Sequence, residues 1–420
     1  MSELTTTSWL ILADDLTGAA DAAVPFAQRS LDSRVLCAPG PLTNHSEAQV
    51  IACNVESRTA SREEAIRLNR LALAQHSQTD RRLFKKIDSL FRGHPAEEIA
   101  VALNQRSKDG ARAFGILAPA FPATGRTTVN GQVHVHGRPL DLTGGSQHRL
   151  NRNNVDLIEL LSRAELSAAV VPLEVVRDSE SLAQTLERLR SEGHDVAICD
   201  ATEQSDLQCI ARASVEFEGA VLIGSAGLAS AIAALLPTGS AIGTRIQKTR
   251  PVLTVIGSQA SESHRSARRL IQDTGLHSVS VDVQLLEDPQ ARRTLEALVD
   301  DAAGELRAQH DVLIYLTETK ELPLSIRAEV AQNLAAMLTP LFPLAGSLVA
   351  SGGDTAAALL VRAGVQSIRL LDEMDPGVCL GLTMGDLCIP IVTKSGSFGG
   401  DESLVRIVRH LHALEAGGPR

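Results

Sequence analysis

Residues with binding chemistry stand just after short apolar runs in the first half of the chain. Each run is followed by charged residues or hydroxyl groups, and the set is Asp14, Asp15, Ser57, Arg58, Lys86, Asp88, Ser89 and Arg92. A guanidinium grips a carboxylate or phosphate in a planar fork, an ammonium is a compact point charge, and carboxylates accept hydrogen bonds from hydroxyl groups. Together these groups suit a small hydroxylated anion. The alternative is a set of helix caps and structural ion pairs, with Asp15 and Ser89 as candidate caps.

Three loops of glycine and serine predict a different chemistry in the second half. Each loop follows an apolar run and precedes a helical pattern, and the loops lie within residues 255–259, 348–355 and 391–400. At a helix N-terminus, bare N–H groups and the positive end of the helix dipole point at one spot, and glycine lets the backbone approach a phosphate closely. One such loop is weak support, because tight turns need glycine anyway. Three loops in one half of the chain predict a nucleotide site.

Several common motifs are missing. No G-x-x-x-x-G-K-[ST] sequence occurs, which excludes the usual P-loop, and no G-x-G spacing occurs, which weakens a dehydrogenase hypothesis. There is also no G-x-S-x-G elbow of a serine hydrolase. His134 and His136 have a spacing that suits metal binding from one face of a strand, but no third ligand lies in register, so an exposed hairpin face is the favoured interpretation.

Composition bounds the class of protein. A chain of 420 residues with 44% apolar and 21% charged residues predicts two or three globular domains. The formal charge of −10 and the scarcity of aromatic residues predict no nucleic-acid partner. The N-terminus lacks a signal-peptide pattern and no run reaches the roughly 18 apolar residues of a membrane span, so we expect no membrane partner and a cytoplasmic location. The sequence leaves homo-oligomer formation open.

The pattern of elements predicts an α/β fold with two α/β domains and mostly parallel sheets. Short apolar runs alternate with amphipathic helical stretches throughout the chain. Asn130-Gly131 between alternating extended residues predicts a β-hairpin excursion in the first domain. The turn residues of 237–251 form the best linker candidate, which places the domains at residues 1–240 and 250–420. The six scattered cysteines are predicted to be reduced and buried.

The motifs, taken in order along nearly the whole chain, resemble those of the four-carbon sugar acid kinases. The first half carries Ala13-Asp-Asp-Leu-Thr-Gly18, Asn54-Val-Glu-Ser-Arg58, Lys85-Lys-Ile-Asp-Ser-Leu-Phe-Arg-Gly93, Ala118-Pro-Ala-Phe-Pro-Ala-Thr-Gly-Arg126 and Gly224-Ser-Ala-Gly227. The second half carries Gly257-Ser258, Ser351-Gly-Gly-Asp-Thr355 and Lys394-Ser-Gly-Ser-Phe-Gly-Gly400. In that family an N-terminal substrate domain precedes a C-terminal nucleotide domain.

This resemblance implies phosphorylation of the 4-hydroxyl of a four-carbon sugar acid by ATP, with D-threonate as the first choice of acid. It implies that the acid is held by Asp14, Arg58, Lys86, Ile87, Asp88 and Ser89. It also implies that the nucleotide is held by Ser258, Gly352, Gly353, Asp354, Thr355 and a glycine of Gly399-Gly400. We expect Mg²⁺ on the ATP phosphates, with no metal ligands assigned. Asp14, Asp88 and Asp354 are all candidates for the base, and the sequence does not choose among them.

Two other functions remain as alternatives at this point. One is a dehydrogenase or isomerase acting on a sugar acid, which the missing G-x-G spacing disfavours. The other is a sensor that binds a sugar acid without catalysis. A screen for ADP release discriminates both alternatives from a kinase.

Overall fold

The computed structural model describes residues 8–37, 47–75, 81–107, 113–140, 156–239, 246, 249–318, 324–396 and 398–416. These residues divide into two compact units, one within Met1–Ser33 and Pro39–Gly239 and the other within Arg34–Ala38 and Ser240–Arg420. Each unit combines helices with a mostly parallel sheet, which confirms the predicted α/β class. Most of the linker candidate at residues 237–251 lies outside the described residues.

The elements up to residue 239 alternate in the predicted way. The strands are β1 (Trp9–Ala13), β2 (Ser33–Leu36), β3 (Val50–Asn54), β4 (Arg82–Lys86), β5 (Gly115–Ala118), β6 (Arg126–Val129), β7 (Gln132–Val135), β8 (Arg138–Pro139), β9 (Ala168–Val171), β10 (Val196–Cys199) and β11 (Val221–Gly224). The helices are α1 (Leu16–Ala27), α2 (Arg62–Gln75), α3 (Pro95–Gln105), α4 (Leu157–Ser162), α5 (Leu173–Val176), α6 (Ser179–Ser191), α7 (Gln204–Glu216) and α8 (Ala226–Leu235), with a 3₁₀ helix at Pro122–Thr124.

The sheet of the first unit is parallel and buried on both faces. Its strand order is β3-β1-β4-β11-β5-β10-β9, and every pairing in it is parallel. All five residues of β1 are buried, as are all five of β3. Strands covered on both faces read as continuous apolar runs rather than as alternating ones. This explains why the strands were readily predicted from runs such as Trp9–Ala13.

The predicted hairpin is present as β6 and β7, and β8 extends it to three antiparallel strands. Asn130 and Gly131 have φ angles of 51° and 68°, the left-handed pair that a type I′ turn requires. The Asp200 carboxylate holds this turn by accepting both backbone N–H groups, at 2.6 Å from Asn130 and 3.0 Å from Gly131. His134 follows in β7, where its side chain is half-buried.

The second unit has its own set of strands and helices. Its strands are β12 (Val252–Ile256), β13 (His277–Val281), β14 (Val312–Leu316), β15 (Ser347–Ser351), β16 (Val365–Asp375), β17 (Val378–Gly385) and β18 (Pro390–Lys394). Its helices are α9 (Ser261–Thr274), α10 (Val283–Glu287), α11 (Arg292–Arg307), α12 (Leu324–Leu338), α13 (Gly353–Arg362) and α14 (Ser403–Ala416), with 3₁₀ helices at Pro289–Ala291 and Thr339–Leu344. The sheet order is β13-β14-β12-β15-β18-β17-β16-β2, parallel as far as β18 and antiparallel beyond it.

Strand β2 is where the structure departs from a single division of the chain. Arg34–Ala38 group with the second unit, because Arg34 to Leu36 pair antiparallel with Arg369 to Ser367 of β16. The sequence analysis places these residues in the first domain, since a partner strand more than 300 residues away leaves no local signal. It also missed the β16–β17 hairpin, which supplies the antiparallel part of the second sheet.

The prediction that the cysteines are buried was only partly correct. All six are free; Cys37, Cys53, Cys199 and Cys379 are buried, Cys209 is half-buried, and Cys388 is exposed in the turn after β17. Among the described residues, no helix is both long enough and apolar enough to cross a membrane.

Candidate functional site

Three parallel strands of the first unit end side by side. In the sheet Ala13, the last residue of β1, lies opposite Asn54 of β3 on one side and Lys86 of β4 on the other. The loops after these strands therefore leave the same edge of the sheet, where ligands of open α/β sheets bind. We call the polar groups gathered there the charged cluster; it comprises Asp14, Asp15, Arg58, Lys86, Asp88, Ser89, Arg92 and Arg126.

Arg58 is the centre of the charged cluster. Its Nε donates to Asp14 Oδ2 at 2.6 Å and its Nη2 donates to Asp14 Oδ1 at 2.8 Å, so its planar fork is closed on this carboxylate. Its Nη1 donates to Asp15 Oδ2, and Asp88 Oδ1 lies 3.8 Å from Nη2. Burial raises the pKa of Asp14, but the charge and hydrogen bonds of Arg58 outweigh burial and leave the pKa below its ordinary value. Asp14 is therefore ionised at neutral pH.

Asp88 is held by a second guanidinium. Arg92 Nε donates to Asp88 Oδ2 at 2.7 Å and Arg92 Nη2 donates to Oδ1 at 2.8 Å, again as a planar fork. Burial raises the pKa of Asp88, but Arg92, Arg58 and Lys86 together hold it well below its ordinary value. Both carboxylates thus have each oxygen engaged by an arginine, which makes them weak proton acceptors.

Helix α1 approaches the charged cluster through a glycine. Asp15 caps the helix by accepting from the backbone N–H of Gly18 at 2.7 Å, which confirms it as a cap. A Cβ on Gly18 would stand 2.5 Å from Asp15 Oδ1 and 3.3 Å from Lys86 Nζ. Any side chain at position 18 would therefore displace the cap or the ammonium. Lys86 Nζ is buried and donates to the Ile87 carbonyl at 2.9 Å.

The next strand residue supports the site from the opposite face of the sheet. Neighbouring residues of a strand point to opposite faces, and Lys85 is fully buried with its Nζ 2.6 Å from Glu98 Oε2 on α3. Glu98 Oε1 also accepts from Ser57 Oγ at 2.7 Å. This pair links β4, α3 and the loop that carries Arg58. Lys85 is thus a structural lysine, and Lys86 is the lysine of the charged cluster.

The structure brings together all the polar side chains that the sequence analysis assigned to the acid. Ser89 Oγ accepts from Arg126 Nη1 at 2.6 Å, and Ile87 is a buried apolar residue whose N–H bonds to the Gly224 carbonyl at 3.0 Å. Arg126 was not singled out, although it ends the Ala118–Arg126 motif. Asp21 of α1 was not singled out either, although Lys86 and Arg126 are among its charged neighbours. Its spacing of three residues from Gly18 was the signal that could have found it.

The glycine loops of the second unit come together as closely as the charged cluster does. A Cβ on Gly257 would stand 2.1 Å from Thr355 Oγ1, and one on Gly396 would stand 2.0 Å from Ser258 Oγ. Gly352 has φ = 109°, a backbone conformation that glycine adopts readily and other residues rarely do. Its N–H donates to the Lys394 carbonyl at 2.9 Å. All three loops therefore meet at the carboxyl ends of β12, β15 and β18.

Helix α13 begins at this meeting point. Gly353 is its first residue, Asp354 lies in its first turn and Thr355 is buried. Gly399 has φ = 79°, and a Cβ there would meet Ser403 Oγ at 2.6 Å and Lys394 Cε at 3.4 Å, whereas a Cβ on Gly400 would meet nothing within 4 Å. The backbone N–H groups at the start of α13 and the small residues around them suit phosphate oxygens.

Lys394 is the polar residue of this region that the sequence analysis did not assign. Its side chain is fully buried, and its Nζ donates to the Ser395 carbonyl at 3.3 Å. Burial lowers the pKa of Lys394 to about 8, and the charge of Glu262 offsets this in part. A lysine at the end of a strand in an otherwise apolar run was the signal available. Within the described residues no group of three His, Cys, Asp or Glu side chains that could hold a metal ion is found.

Comparison with known proteins defines the class of this chain. Residues 9–232 match the family model described as a sugar-binding N-terminal domain, and residues 253–404 match a nucleotide-binding C-terminal domain. The chain is 35% identical over 405 residues to a D-threonate kinase of Cupriavidus necator, covering 94% of this chain and 96% of that protein. It is 32% identical to a D-threonate kinase of Bordetella bronchiseptica and 26% identical to a D-erythronate kinase of Heliobacterium modesticaldum, with at least 94% of either chain covered.

Fold and relatives agree on one class, an α/β phosphotransferase that acts on an alcohol group. The chain belongs to the four-carbon sugar acid kinase family, and its nucleotide-binding domain implies ATP as the phosphoryl donor. Two solved structures share its fold: a putative tRNA synthase of Salmonella typhimurium LT2, with a TM-score of 0.78 and 18% identity over 96% of this chain and 99% of that one, and the Haemophilus influenzae protein HI1011, with a TM-score of 0.71 and 19% identity over 97% and 100%.

Removing Arg58 should destabilise the protein in a pH-dependent way. Arg58→Ala leaves Asp14 and Asp88 short of compensating charge in a buried setting, and we expect a loss of about 3–5 kcal/mol at pH 7. Both carboxylates have lowered pKa values in the folded state, so their contribution to stability is present at neutral pH and is lost as pH falls through those values. The loss should therefore shrink toward pH 3, as measured by urea denaturation.

A surface pair supplies the control for this experiment. Arg62 Nε lies 2.7 Å from Glu97 Oε1, but the Arg62 side chain is 53% exposed. Arg62→Ala should destabilise the protein far less than Arg58→Ala, because exposed ion pairs contribute little. Equal losses for the two variants, or a loss for Arg58→Ala that does not depend on pH, would contradict the role of Arg58 as the cluster's central cation.

Lys394 should make stability rise with pH above neutrality. Its folded-state pKa of about 8 lies below the ordinary value of 10.5, so between these pH values the unfolded chain holds a proton that the folded chain has lost. Lys394→Met should thus be more stable than the wild type at pH 7, by at most about 3 kcal/mol, and the difference should narrow by pH 10. Lys85→Met is the control: it leaves Glu98 unpaired and should destabilise. If the stability difference between Lys394→Met and the wild type stayed constant from pH 7 to pH 10, Lys394 would not have the lowered pKa on which this prediction depends.

Proposed function

We propose that the chain transfers the γ-phosphoryl group of ATP to the 4-hydroxyl of D-threonate. The D-threonate kinases at 35% and 32% identity, both matched along nearly their full length, are the observation that carries the choice of acid. Relatives at 26% and 27% identity include D-erythronate and 3-oxo-tetronate kinases. These acids differ in one hydroxyl configuration or one oxidation level, so the choice depends on the placement of individual hydrogen-bonding groups.

The first unit binds the acid in this proposal, through Asp14, Arg58, Lys86, Ile87, Asp88 and Ser89. The ionised carboxylates accept hydrogen bonds from the substrate hydroxyls. Arg58 is a candidate partner of the substrate carboxylate by its chemistry, but its planar fork is closed on Asp14. We therefore propose that Arg58 positions Asp14, and that Lys86 and Arg126 provide the positive charge for the substrate carboxylate. Burial lowers the pKa of Arg126, as expected for a guanidinium in a partly desolvated site.

The second unit binds ATP in this proposal, through Ser258, Gly352, Gly353, Asp354, Thr355 and Gly399 or Gly400. The N-terminus of α13 faces phosphate oxygens, and the buried ammonium of Lys394 adds positive charge beside the same loops. In the described structure the buried Lys394 ammonium donates to a backbone carbonyl and has no carboxylate within hydrogen-bond distance. Such a charge lowers stability, which is typical of functional groups. Domain limits of 1–240 and 250–420, apart from the strand β2, are part of this proposal.

Mg²⁺ belongs to the proposal as the ion that screens the ATP phosphates. Such an ion binds through one or two carboxylates, waters and the phosphates themselves, so it needs no dedicated cluster of protein ligands. Asp354, in the first turn of α13, is a carboxylate that fits this requirement and would hold the Mg²⁺ ion. When bound, Mg²⁺ neutralises charge on the phosphoryl group during transfer.

Location and assembly stay predictions from the sequence. We propose a cytoplasmic enzyme with a small-molecule substrate and with no nucleic-acid or membrane partner. Homo-oligomer formation stays open, and sedimentation measurements on the purified chain would define it.

A screen of acids tests the proposed reaction. With ATP and Mg²⁺, kcat/KM for ADP release should be higher with D-threonate than with L-threonate, either erythronate or the 3-oxo acids. Phosphorus NMR of the product should show a phosphate ester on the terminal carbon. Higher kcat/KM for D-erythronate would overturn the choice of acid, and acid binding without ADP release would favour a sensor.

Replacing Gly353 tests the nucleotide site. Gly353 is the first residue of α13, and valine can adopt a helical backbone conformation there, so Gly353→Val should fold. The substitution places a branched side chain where we propose that the phosphates bind. We expect ATP affinity to fall at least about 30-fold by calorimetry, equivalent to about 2 kcal/mol, while the affinity for D-threonate stays unchanged.

The matched control places the same change in another helix. Gly304 lies within α11, where an added Cβ meets nothing within 4 Å. Gly304→Val carries the same cost of a branched residue in a helix but leaves the glycine loops intact. If both variants bind ATP normally, the N-terminus of α13 is not part of the nucleotide site.

A further inference from the structure

Helix α1 presents a second carboxylate to the charged cluster. Asp15, Gly18 and Asp21 follow one another at intervals of three residues and therefore share one face of the helix. Gly18 leaves this face open to Lys86 Nζ, which would lie 3.3 Å from a Cβ at that position. Asp21 lies one turn further along and has the Lys86 and Arg126 cations and the Asp15 carboxylate as its charged neighbours. Asp21 is therefore within electrostatic reach of Lys86 and Arg126, the two cations that the proposed function assigns to the acid.

One oxygen of Asp21 lacks a hydrogen-bond partner. Its Oδ1 is enclosed, and no donor among the described residues reaches it, although the residue as a whole is partly accessible. An enclosed polar atom without a partner is costly, and native proteins seldom keep one without a functional reason. A carboxylate oxygen needs a donor, and the hydroxyl groups of a sugar acid are donors of the right kind.

The other carboxylates of the charged cluster are already engaged. Asp14 and Asp88 are each held by an arginine fork, and both have pKa values below the ordinary one. Asp15 is committed to capping α1 and to Arg58. Asp21 differs because burial raises its pKa to about 6, with Lys86 and Arg126 lowering it and Asp15 raising it. A base is most effective when its pKa lies near the working pH.

We propose that Asp21 is a catalytic residue, the base that accepts the proton of the hydroxyl being phosphorylated. The role rests on the proposed function, because it needs a hydroxylated acid in the charged cluster. The hydroxyl oxygen forms a bond to the γ-phosphorus of ATP while the bond from that phosphorus to the β,γ-bridging oxygen breaks, and the bonding electrons leave with ADP. The hydroxyl proton passes to Asp21 and then to solvent. The products are ADP and the phosphorylated acid.

The experiment compares Asp21→Asn with the wild type in the full chain. Amide for carboxylate keeps the shape of the side chain but removes its basicity. We expect kcat with the best acid of the screen to fall about 10²- to 10⁴-fold, with KM changed far less. The wild-type kcat should fall on the acid side with an apparent pKa near 6, and the variant should lose this limb of the profile. Asp21→Glu should keep the limb at reduced kcat.

Folding is checked on the same samples. A carboxylate whose folded-state pKa is raised above its ordinary value lowers stability once pH exceeds that ordinary value, so Asp21→Asn should melt no lower than the wild type at pH 7.5. Asp300→Asn, an exposed residue of α11, is the isosteric control and should leave kcat and its pH profile unchanged.

The outcomes distinguish a failure of the role proposed for Asp21 from a failure of the proposed function. A kcat within about threefold of the wild type, or an acid limb that persists in Asp21→Asn, would show that Asp21 is not the base. A lower melting temperature with kcat and KM altered together would assign it a structural role instead. A wild-type chain that releases no ADP with any four-carbon acid would contradict the proposed function itself, and the role of Asp21 with it.

Discussion

Charge neutralisation inside the first unit governs how its loops are arranged. Asp14 and Asp88 are buried, and buried carboxylates are tolerated only where cations and hydrogen bonds replace the lost water. Arg58 and Arg92 meet that demand with planar forks. Arg58 contacts both Asp14 and Asp88, and these three residues come from loops after different strands. The contacts of Arg58 therefore also fix the relative positions of those loops. A rigid polar surface for a hydroxylated anion is the consequence.

A buried ion pair on the opposite face of the sheet supports this polar surface. Lys85 and Glu98 form an ion pair with almost no exposure, and Glu98 also binds the Ser57 hydroxyl beside Arg58. Alternation along β4 sends Lys85 to this pair and Lys86 to the charged cluster. Two adjacent lysines in one motif therefore have separate duties, one in holding the Arg58 loop and the other in supplying charge to the site.

The second unit solves a different problem, because its loops must come within backbone distance of one another. Added Cβ atoms at Gly257 and Gly396 would stand about 2 Å from the side chains of Thr355 and Ser258. Glycine at these positions is thus required by packing as well as by any phosphate. Lys394 is buried beneath the same loops at a cost in stability. A buried charge that lowers stability in this way is typical of a group whose partner is a ligand rather than the protein.

Much about this protein could be determined from the sequence alone, and the reasons are local. Runs such as Trp9–Ala13 predict parallel strands buried on both faces, Asn130-Gly131 predicts the type I′ hairpin, and polar residues after the runs predict the two binding regions. What only the tertiary structure decided is which groups face each other. Periodicity does not reveal that the Arg58 fork closes on Asp14, that β2 pairs with β16, or that Asp21 has an oxygen without a donor. Those facts depend on contacts between residues far apart in the chain, where the electrostatic environment of a side chain is set by neighbours that no local pattern encodes.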